Sequence, residues 1–381
     1  MIIIGGGISG TAAAWELVRE GHSVLLLEAR TLAAMASGWT LGGVRQSGRD
    51  PAELPLARAA VGIWAELSAV LGADVGYRQR GNLRLARSDA EAEVIRKLVA
   101  QQSARDLELH FLDGSAEIHA IAPAVSDRIV AASYCPSDGH ADPVAAVNAF
   151  AGAARRHGAV IREGVRVAGL ILQGDQVVGV ETAEGPIHAS CVVVAAGVHT
   201  PDLLAPFGLP LPLNLREVSV LQTVPLPPLL DQVFGVANAD CAGRQEIGGR
   251  LRITTGIGPW DRPLAGWTPE DLHPRIADVT NLVERIAAIL PAFREARLAR
   301  VWGGLIDLTP DGLPVLDAPA QMPGLVIAAG FSGHGFCLGP VTGQIVADLA
   351  TGRENRHPIA PFRLARFNDP GPRPAELTLH G

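Results

Sequence analysis

The sequence contains only one lysine, Lys97, and four cysteines that lie far apart. Cys135, Cys191, Cys241 and Cys337 form no C-x-x-C pair, which argues against a zinc or iron–sulfur site built by this chain alone. Scattered cysteines in a chain of this length are typical of proteins from a reducing compartment. We therefore predict no metal centre and a cytoplasmic location.

Basic blocks and long apolar runs are also lacking. The net charge is −7, and phosphate binding needs clustered positive charge, so a nucleic-acid partner is disfavoured. No apolar run reaches membrane-spanning length, and residues 1–4 continue straight into glycines without the basic region and cleavage site of a signal peptide. We expect neither a transmembrane segment nor a signal peptide.

Apolar residues, in contrast, are abundant and regularly spaced. They make up 48% of the 381 positions, which is enough for a sizeable core. Their spacing predicts helices over 54–71, 142–157, 270–290 and 339–351, and a buried strand over 325–329. The chain length suggests two domains, or one large domain that carries an inserted one.

The first thirty residues predict a strand, a helix and a second strand. Residues 2–4 are a short apolar run, residues 10–20 carry small and then larger apolar side chains, and residues 23–28 are again apolar. Short apolar runs beside glycine are consistent with buried parallel strands, and Gly21 is placed to end the helix. This segment is therefore a compact β-α-β unit.

A glycine pattern lies between the first strand and the helix. Gly5 permits a tight turn, Gly7 lets the backbone approach a pyrophosphate, and Gly10 lets helix and strand pack closely. Glu28 ends the second strand, where a carboxylate accepts hydrogen bonds from an adenosine ribose and disfavours the 2′-phosphate of NADP. The pattern indicates a dinucleotide site but does not separate FAD from NAD, and the alternative is a glycine-rich turn without a ligand.

Four later segments favour FAD. Residues 30–48, 191–204, 302–314 and 324–343 follow in an order and spacing that resembles the D-amino-acid-oxidase-like superfamily of FAD-dependent oxidoreductases. Members of that superfamily include glycine oxidase, sarcosine oxidase and the β subunits of heterotetrameric sarcosine oxidases and amino-acid dehydrogenases. In its motifs the chain is most similar to the β subunits, including those of proline, hydroxyproline and opine dehydrogenases, and glycine oxidase is more distant.

The resemblance implies an α/β fold with two domains. A Rossmann-like FAD-binding domain of the glutathione-reductase type would be discontinuous and formed by residues 1–81, 142–211 and 301–381. An α+β substrate domain with an antiparallel sheet would be formed by residues 82–141 and 212–300.

The resemblance also implies which residues contact FAD. Carried over by motif position, they are Gly5, Gly7, Gly10, Glu28, Arg30, Ser37, Gly43, Val167, Ala196, Gly197, Gly330, Gly333, His334 and Gly335. The glycines of 330–335 would expose backbone N–H groups next to a helix N-terminus, which suits the negative charge of a reduced flavin. Other interpretations are that Arg30 is an exposed strand-end residue, Ser37 a turn hydroxyl, Val167 ordinary core and His334 a structural loop histidine.

The reaction that the resemblance implies is oxidation of an amine next to a carboxylate. An arginine suits the carboxylate because its planar fork matches the two oxygens. Glycine-oxidase-like relatives place such an arginine where this chain has Ile306. Arg45 is therefore the first candidate for the clamp and Arg252 the second, with a structural or solvated arginine as the alternative for each. His334 is the third candidate catalytic residue.

The leading hypothesis is the FAD-binding catalytic β-type subunit of an amino-acid or secondary-amine dehydrogenase, with redox partners in a hetero-oligomer. Its substrate would be a proline or hydroxyproline isomer, sarcosine or an opine. Lys97 lies in a polar helical stretch, so the lysine that monomeric sarcosine oxidases use near the flavin is missing, and an acceptor other than oxygen is indicated. The alternatives are a self-sufficient glycine or D-amino-acid oxidase that releases hydrogen peroxide, and a flavin-holding subunit without activity of its own.

Overall fold

The computed structural model describes residues 1–264, 268 and 272–368. Within these residues the strands are β1 (Ile2–Ile4), β2 (Leu25–Glu28), β3 (Gly43–Val44), β4 (Asn82–Ala86), β5 (His110–Asp113), β6 (Ala131–Cys135), β7 (Gly139–His140), β8 (Val160–Glu163), β9 (Val167–Gln173), β10 (Gln176–Thr182), β11 (Gly185–His188), β12 (Val192–Val194), β13 (Asn214–Pro225), β14 (Val233–Val236), β15 (Cys241–Gln245), β16 (Arg250–Thr255), β17 (Gly258–Pro259), β18 (Leu298–Leu308), β19 (Val315–Asp317) and β20 (Leu325–Ala329). The α-helices are α1 (Ile8–Arg19), α2 (Ala36–Trp39), α3 (Leu54–Leu71), α4 (Asp89–Ser103), α5 (Gly114–Ile121), α6 (Pro143–Arg156), α7 (Thr200–Leu204), α8 (Ile276–Ile289) and α9 (Gly335–Thr351). Short 3₁₀ turns cover Gly197–His199, Ala205–Phe207, Pro291–Glu295, Ala360–Phe362 and Leu364–Phe367.

The N-terminal strand β1 lies near the middle of a six-stranded sheet, which has the order β19-β20-β12-β1-β2-β8. Strand β1 pairs in parallel with β12 and β2, and only the edge strand β19 pairs antiparallel to its neighbour. The strands are almost continuously apolar because both faces are covered, one by helices and the other by a second apolar cluster. The Rossmann-like half of the predicted α/β fold is thereby confirmed.

Helices α1 and α9 pack closely beneath this sheet. Gly343 of α9 lies against α1 so tightly that an added Cβ atom would be 2.7 Å from the carbonyl carbon of Ala12. Helix α1 begins at Ile8 directly after Gly7, two residues earlier than predicted. Helix α9 likewise begins at Gly335 rather than at 339, so its N-terminus follows the glycine loop immediately.

Helix α3 spans the predicted residues and is 18 residues long with a mean hydropathy of 1.4, so length and composition alone would let it cross a membrane. The expectation that no apolar segment reaches this length missed it because Arg58 and Glu66 interrupt the run in sequence. Leu56 and Trp64 of α3 are buried in the same core as α9, and Trp64 Nε1 donates to Cys337 O at 2.8 Å. Packing against α9 therefore accounts for the apolar face of α3.

The second sheet has nine strands, in the order β17-β13-β16-β15-β14-β4-β6-β5 with β18 paired to β13. Its described strand pairs are antiparallel except β14 with β4, which confirms the predicted antiparallel sheet. Leu83, Phe234 and Ile253 belong to the apolar cluster that covers one face together with α5 and α8. The side chains of the opposite face line a cavity between the two sheets.

One predicted domain boundary falls inside a strand of this sheet. Strand β18 pairs with β13 from Leu298 to Leu308, so residues 301–308, which we expected in the FAD-binding segment, belong to the second sheet. The predicted helix over 270–290 begins at Ile276, and residues 270 and 271 lie outside the described part of the chain. Residues 369–381 of the predicted C-terminal segment also lie outside it.

Candidate functional site

A cavity of about 490 Å³ is lined by residues of both sheets. One end is formed by the turn between β1 and α1 and by the carboxyl ends of β2 and β12. The other end lies under the open face of the nine-stranded sheet. Nucleotides bind α/β sheets where the carboxyl ends of parallel strands meet a helix N-terminus, so the first end has the geometry of a nucleotide site.

Glu28 is fixed at the nucleotide end by two backbone donors. The N–H of Gly6 donates to Oε2 at 2.6 Å, and the N–H of Arg30 donates to Oε1 at 2.7 Å. Each carboxylate oxygen has two lone pairs, so both oxygens can still accept a hydrogen bond from a ligand. The carboxylate thus stands oriented at the position predicted for the adenosine ribose.

The glycines of the turn serve different purposes. Gly5 has φ +111°, a conformation that favours glycine, and it lies against the carbonyl of Ala195. A Cβ atom at Gly7 would come within 3.0 Å of Ser37 Oγ, which itself accepts a hydrogen bond from Ile8 N at 3.0 Å. Gly10 does not line the cavity, because it packs on Gly5 O and brings helix and strand together as predicted.

Most of the predicted FAD contacts line this cavity, and the structure brings them together from all parts of the chain. They are Gly5, Gly7, Glu28, Arg30, Ser37, Gly43, Val167, Ala196, Gly197, Gly333, His334 and Gly335. Gly330 is not among them: its N–H donates to Asp307 Oδ2 at 3.0 Å, and an added Cβ would meet Thr309. Its part is to shape the loop that leads to Gly333.

Of the two predicted carboxylate clamps, Arg252 lies outside the cavity lining. Its Nε is 2.6 Å from Glu246 Oε1, its Nη1 donates to Thr40 O at 2.9 Å, and its guanidinium stacks on Trp302. The guanidinium already has a carboxylate beside it and a backbone carbonyl as an acceptor, although its contact with Glu246 lacks the geometry of a hydrogen bond. The structural alternative therefore fits Arg252 better than a substrate clamp.

Arg45, the first candidate, does line the cavity, and two further arginines stand beside it. Arg45 Nη1 donates to Ser47 O at 2.6 Å, and Arg49 Nε donates to Arg45 O at 3.1 Å. Arg84 reaches the same region from β4. All three side chains are almost fully buried, and burial lowers the pKa of Arg84 to about 10, helped by the neighbouring charge of Arg49. No sequence motif pointed to Arg49 or Arg84.

His334 lines the cavity at the N-terminus of α9 and contacts Glu53, another residue that the sequence did not point out. Its Nδ1 lies 2.9 Å from Glu53 Oε2, and both side chains are buried. Burial and the charge of Arg49 lower the pKa of His334 to about 3, against the opposing effect of Glu53. At neutral pH the ring is therefore uncharged. Glu53 is ionised, because the hydrogen bond from His334 and the charges of Arg49 and Arg45 overcome burial and lower the pKa of Glu53 to about 2.

Asp307 holds the loop before His334. Its Oδ2 accepts from Gly330 N, and its backbone O accepts from Ser332 N at 3.2 Å. Ser332 adopts φ +53°, which is uncommon for a residue with a side chain, and its Oγ is tied to Thr309. Burial raises the pKa of Asp307 to about 6, although the backbone N–H groups of the loop oppose the rise.

The cavity fits a flavin dinucleotide better than NAD. Gly43 and Gly197 line the cavity, and a Cβ atom added at either position would meet nothing within 4 Å. A ligand can therefore approach the backbone of these two residues. The N-terminus of α9, with the loop that Asp307 fixes, faces the same space from the C-terminal part of the chain. A site for NAD alone would not need this second helix N-terminus.

Comparison with known proteins agrees with this geometry. The model of the family described as FAD dependent oxidoreductase (DAO) matches residues 1–349. Glycine oxidase of Geobacillus kaustophilus (strain HTA426) is 29% identical over 374 residues, which are 96% of this chain and 96% of that protein. A crystal structure of glycine oxidase from Geobacillus kaustophilus has a TM-score of 0.88 at 28% identity and covers 96% of this chain and 98% of that chain.

The crystal structure of L-proline dehydrogenase from P. horikoshii also has a TM-score of 0.88, at 27% identity, and covers 96% of this chain and 97% of that chain. The two solved structures are thus equally similar in fold, and the subgroup stays a prediction. The family match, in contrast, spans nearly the whole chain together with the residues that form the cavity. The chain therefore belongs to the FAD dependent oxidoreductase family, uses FAD as its cofactor and oxidises amino acids or amines.

Proposed function

We propose that the substrate is an amino acid or secondary amine that carries a carboxylate, such as a proline or hydroxyproline isomer, sarcosine or an opine. The observation that carries this proposal is the group of buried arginines at the sheet end of the cavity, Arg45, Arg49 and Arg84. Buried charges in proteins are paired, and a guanidinium matches a carboxylate through two parallel hydrogen bonds. Arg49 already lies 3.8 Å from Glu53, whereas the one hydrogen bond of Arg84 in the described part of the chain is long, at 3.4 Å, so a carboxylate-bearing ligand would supply a counter-charge chiefly to Arg84.

In the proposed reaction, bound FAD supplies the acceptor for a hydride. The C–H bond next to nitrogen breaks and both of its electrons leave with the hydrogen, while the nitrogen lone pair forms a C=N bond. The nitrogen must be unprotonated for this step, and water later converts the imine to a carbonyl product and an amine. The side chains of the cavity bind the carboxylate, orient the reacting carbon and exclude water.

The walls of the cavity support a small or cyclic apolar substrate. Val218 and Val220 of β13, Ala242 of β15 and Leu305 of β18 line the sheet end beside the arginines. These side chains offer apolar surface and no further charge, which favours proline, hydroxyproline and sarcosine over an opine, because the second carboxylate of an opine would lack a partner among them. Glycine oxidase and L-proline dehydrogenase, to which the chain is similar, are named for substrates of this size.

We further propose that the chain is the catalytic β-type subunit of a hetero-oligomer and passes electrons to an acceptor other than oxygen. Lys97, the only lysine in the sequence, has a side chain that is 66% exposed and lies 3.7 Å from Glu93, away from the cavity. No lysine is therefore available beside the flavin. A self-sufficient oxidase is the second candidate, favoured by the 29% identity to a glycine oxidase over nearly the whole chain.

Anaerobic titration of the FAD-loaded protein tests these proposals. The flavin spectrum is followed while D- and L-proline, both hydroxyproline series, sarcosine, glycine and opines are added in turn. Bleaching by a carboxylate-bearing amine, but not by the same amine with its carboxylate converted to an amide, is the expected result. Rapid recovery of colour in air would favour the self-sufficient oxidase, whereas slow recovery that an artificial electron acceptor accelerates would favour the dehydrogenase. Bleaching by the amide and the acid alike would contradict the proposed substrate class.

A further inference from the structure

Arg84 lies in a row of residues that crosses the open face of the nine-stranded sheet. It pairs with Gly235, Gly235 pairs with Ala242, Ala242 with Thr254 and Thr254 with Val220. All five residues line the cavity. Because the others are small or medium-sized, Arg84 is the one long side chain of this row.

The Arg84 guanidinium lies directly over Gly235, where the missing side chain of glycine leaves room for it. A Cβ atom at Gly235 would be 2.5 Å from Arg84 Nη1 and 3.1 Å from Cζ. The guanidinium thus rests on the neighbouring strand instead of extending into solvent, and the Arg84 residue is only 4% exposed. The sheet positions the cation against the cavity with little freedom.

The Arg84 guanidinium has few partners within the protein. Its one hydrogen bond in the described part of the chain is from Nη1 to Val236 O, at 3.4 Å, which is long. No carboxylate lies within 4.0 Å of it among residues 1–264, 268 and 272–368. A guanidinium carries five N–H donors. Because a buried charge without a counter-charge costs free energy, an anionic ligand beside Arg84 would be stabilising.

The neighbouring arginines are engaged more fully. Arg49 bonds to Arg45 O and lies 3.8 Å from Glu53, and Arg45 bonds to Ser47 O at 2.6 Å. The nearby carboxylate of Asp138 is occupied by Ser47 and by the N–H of Gln46 at 2.8 Å. These groups form a bonded framework around Arg84, in which the carboxylates of Glu53 and Asp138 partly offset the positive charges of Arg45 and Arg49.

We propose that Arg84 is the residue that binds the carboxylate of the ligand in this cavity, and, resting on the proposed function, that it selects carboxylate-bearing amines as substrates. Arg45, the first candidate from sequence, then belongs to the framework that supports it. The apolar residues next in the row, Ala242 and Val220, would contact the substrate's side chain. Arg84 is thus a binding and specificity-determining residue, and hydride transfer needs no proton from it.

Ligand binding to the FAD-loaded protein tests this directly, with cyclopentanecarboxylate and its neutral carboxamide as unreactive probes. Dissociation constants are measured by calorimetry and by perturbation of the flavin spectrum, so the readout does not depend on turnover. We expect the wild type to bind the carboxylate and Arg84→Met to bind it about 100-fold more weakly, with flavin content unchanged. Arg84→Lys should restore part of the affinity, because it keeps the charge but not the fork.

Two further variants make the test independent of folding problems at position 84. Gly235→Ala keeps Arg84 but displaces its guanidinium, and should weaken carboxylate binding roughly tenfold or more. Arg300→Met removes an exposed arginine from the same sheet, outside the cavity lining, and should leave the dissociation constant unchanged.

The outcomes separate this inference from the proposed function. Carboxylate binding that survives both Arg84→Met and Gly235→Ala would overturn the inference, even if amines bleach the flavin. A wild type that prefers the carboxamide would overturn it as well. If Arg84 controls carboxylate binding but no amine bleaches the flavin, the inference stands and the proposed reaction fails.

Discussion

Nδ1 of His334 lies 2.9 Å from Oε2 of Glu53 and 3.1 Å from its Oε1, although 281 positions separate the two residues in sequence. Since a carboxylate only accepts hydrogen bonds, the proton of the neutral ring resides on Nδ1. Glu53 therefore sets both the tautomer and the orientation of His334 at the start of α9. The pair links the core helix α3 to the glycine loop that lines the cavity.

Glu53→Gln is predicted to destabilise the protein and to shift its redox behaviour. The substitution leaves Arg49 buried without its counter-charge, so we expect a loss of about 2–4 kcal/mol in the free energy of unfolding. Removal of a negative charge near the cavity also favours the reduced, anionic flavin, so the midpoint potential should rise, by roughly 30 mV for each 1.4 kcal/mol of stabilisation.

Urea unfolding and a spectroscopic potential measurement check these two effects. Glu93→Gln is the matched control, because the Glu93 side chain is 55% exposed and its ion pairs contribute less than about 1 kcal/mol. An unchanged potential in a destabilised Glu53→Gln protein would show that the pair supports the fold without influencing the flavin.

The nucleotide end of the cavity could be predicted from sequence because its geometry is local. Gly5, Gly7 and Glu28 lie within one β-α-β unit, and the spacing of that unit fixes where each backbone or side chain points. The same holds for the strand over 325–329, which the structure places at those residues. Short-range patterns were sufficient for this half of the site.

The substrate end could not be predicted in the same way. Arg84 sits in an alternating strand, and sequence alternation alone does not tell which face of the strand meets the cavity. Arg252 has the same guanidinium group, but the register of β16 places it beside Glu246 and Trp302. Strand β4 pairs with β14, about 150 residues further along the chain, and this pairing places Arg84 rather than Arg252 in the cavity lining. No local sequence pattern predicts that pairing.

Gly7→Val is predicted to abolish FAD binding. Even the first carbon of a side chain at this position would be 3.0 Å from Ser37 Oγ, and the methyl groups of valine would occupy the space of the pyrophosphate. The ratio of flavin to protein absorbance after purification should fall to near zero. Gly62→Ala is the control, because an added Cβ in that helix meets nothing within 4 Å, and a Gly7→Val protein with full flavin content would refute the assignment of the glycine turn.

Gly343→Ala is predicted to weaken the packing of α9 on α1. The new methyl group would be 2.7 Å from the carbonyl carbon of Ala12, and backbone atoms in a helix cannot move aside as a flexible side chain can. We expect a loss of about 1–3 kcal/mol in the free energy of unfolding, measured in urea. Gly62→Ala should instead stabilise α3 by up to about 1 kcal/mol. Equal stabilities of the two variants would mean that the helices have room to separate.

Asp307→Asn is predicted to remove a pH dependence of stability. Burial raises the folded-state pKa of Asp307 from its ordinary 3.8 to about 6, so the folded protein binds this proton more tightly than the unfolded chain does. The resulting stabilisation is complete below about pH 4 and is lost as the pH rises through about 6. It amounts to on the order of 1–3 kcal/mol, since cavity water screens part of the burial effect.

Urea unfolding of the FAD-loaded protein from about pH 4 to about pH 7 measures this contribution. An asparagine cannot ionise but still offers an oxygen to Gly330 N, so the stability of wild type relative to Asp307→Asn should fall across that interval and then level off. Asp175→Asn, in the exposed turn between β9 and β10, should run parallel to wild type throughout. If wild type and Asp307→Asn run parallel as well, Asp307 ionises in the folded protein as it does in the unfolded chain, and the hydrogen bonds that its carboxylate accepts from the 330–332 loop offset the whole effect of burial.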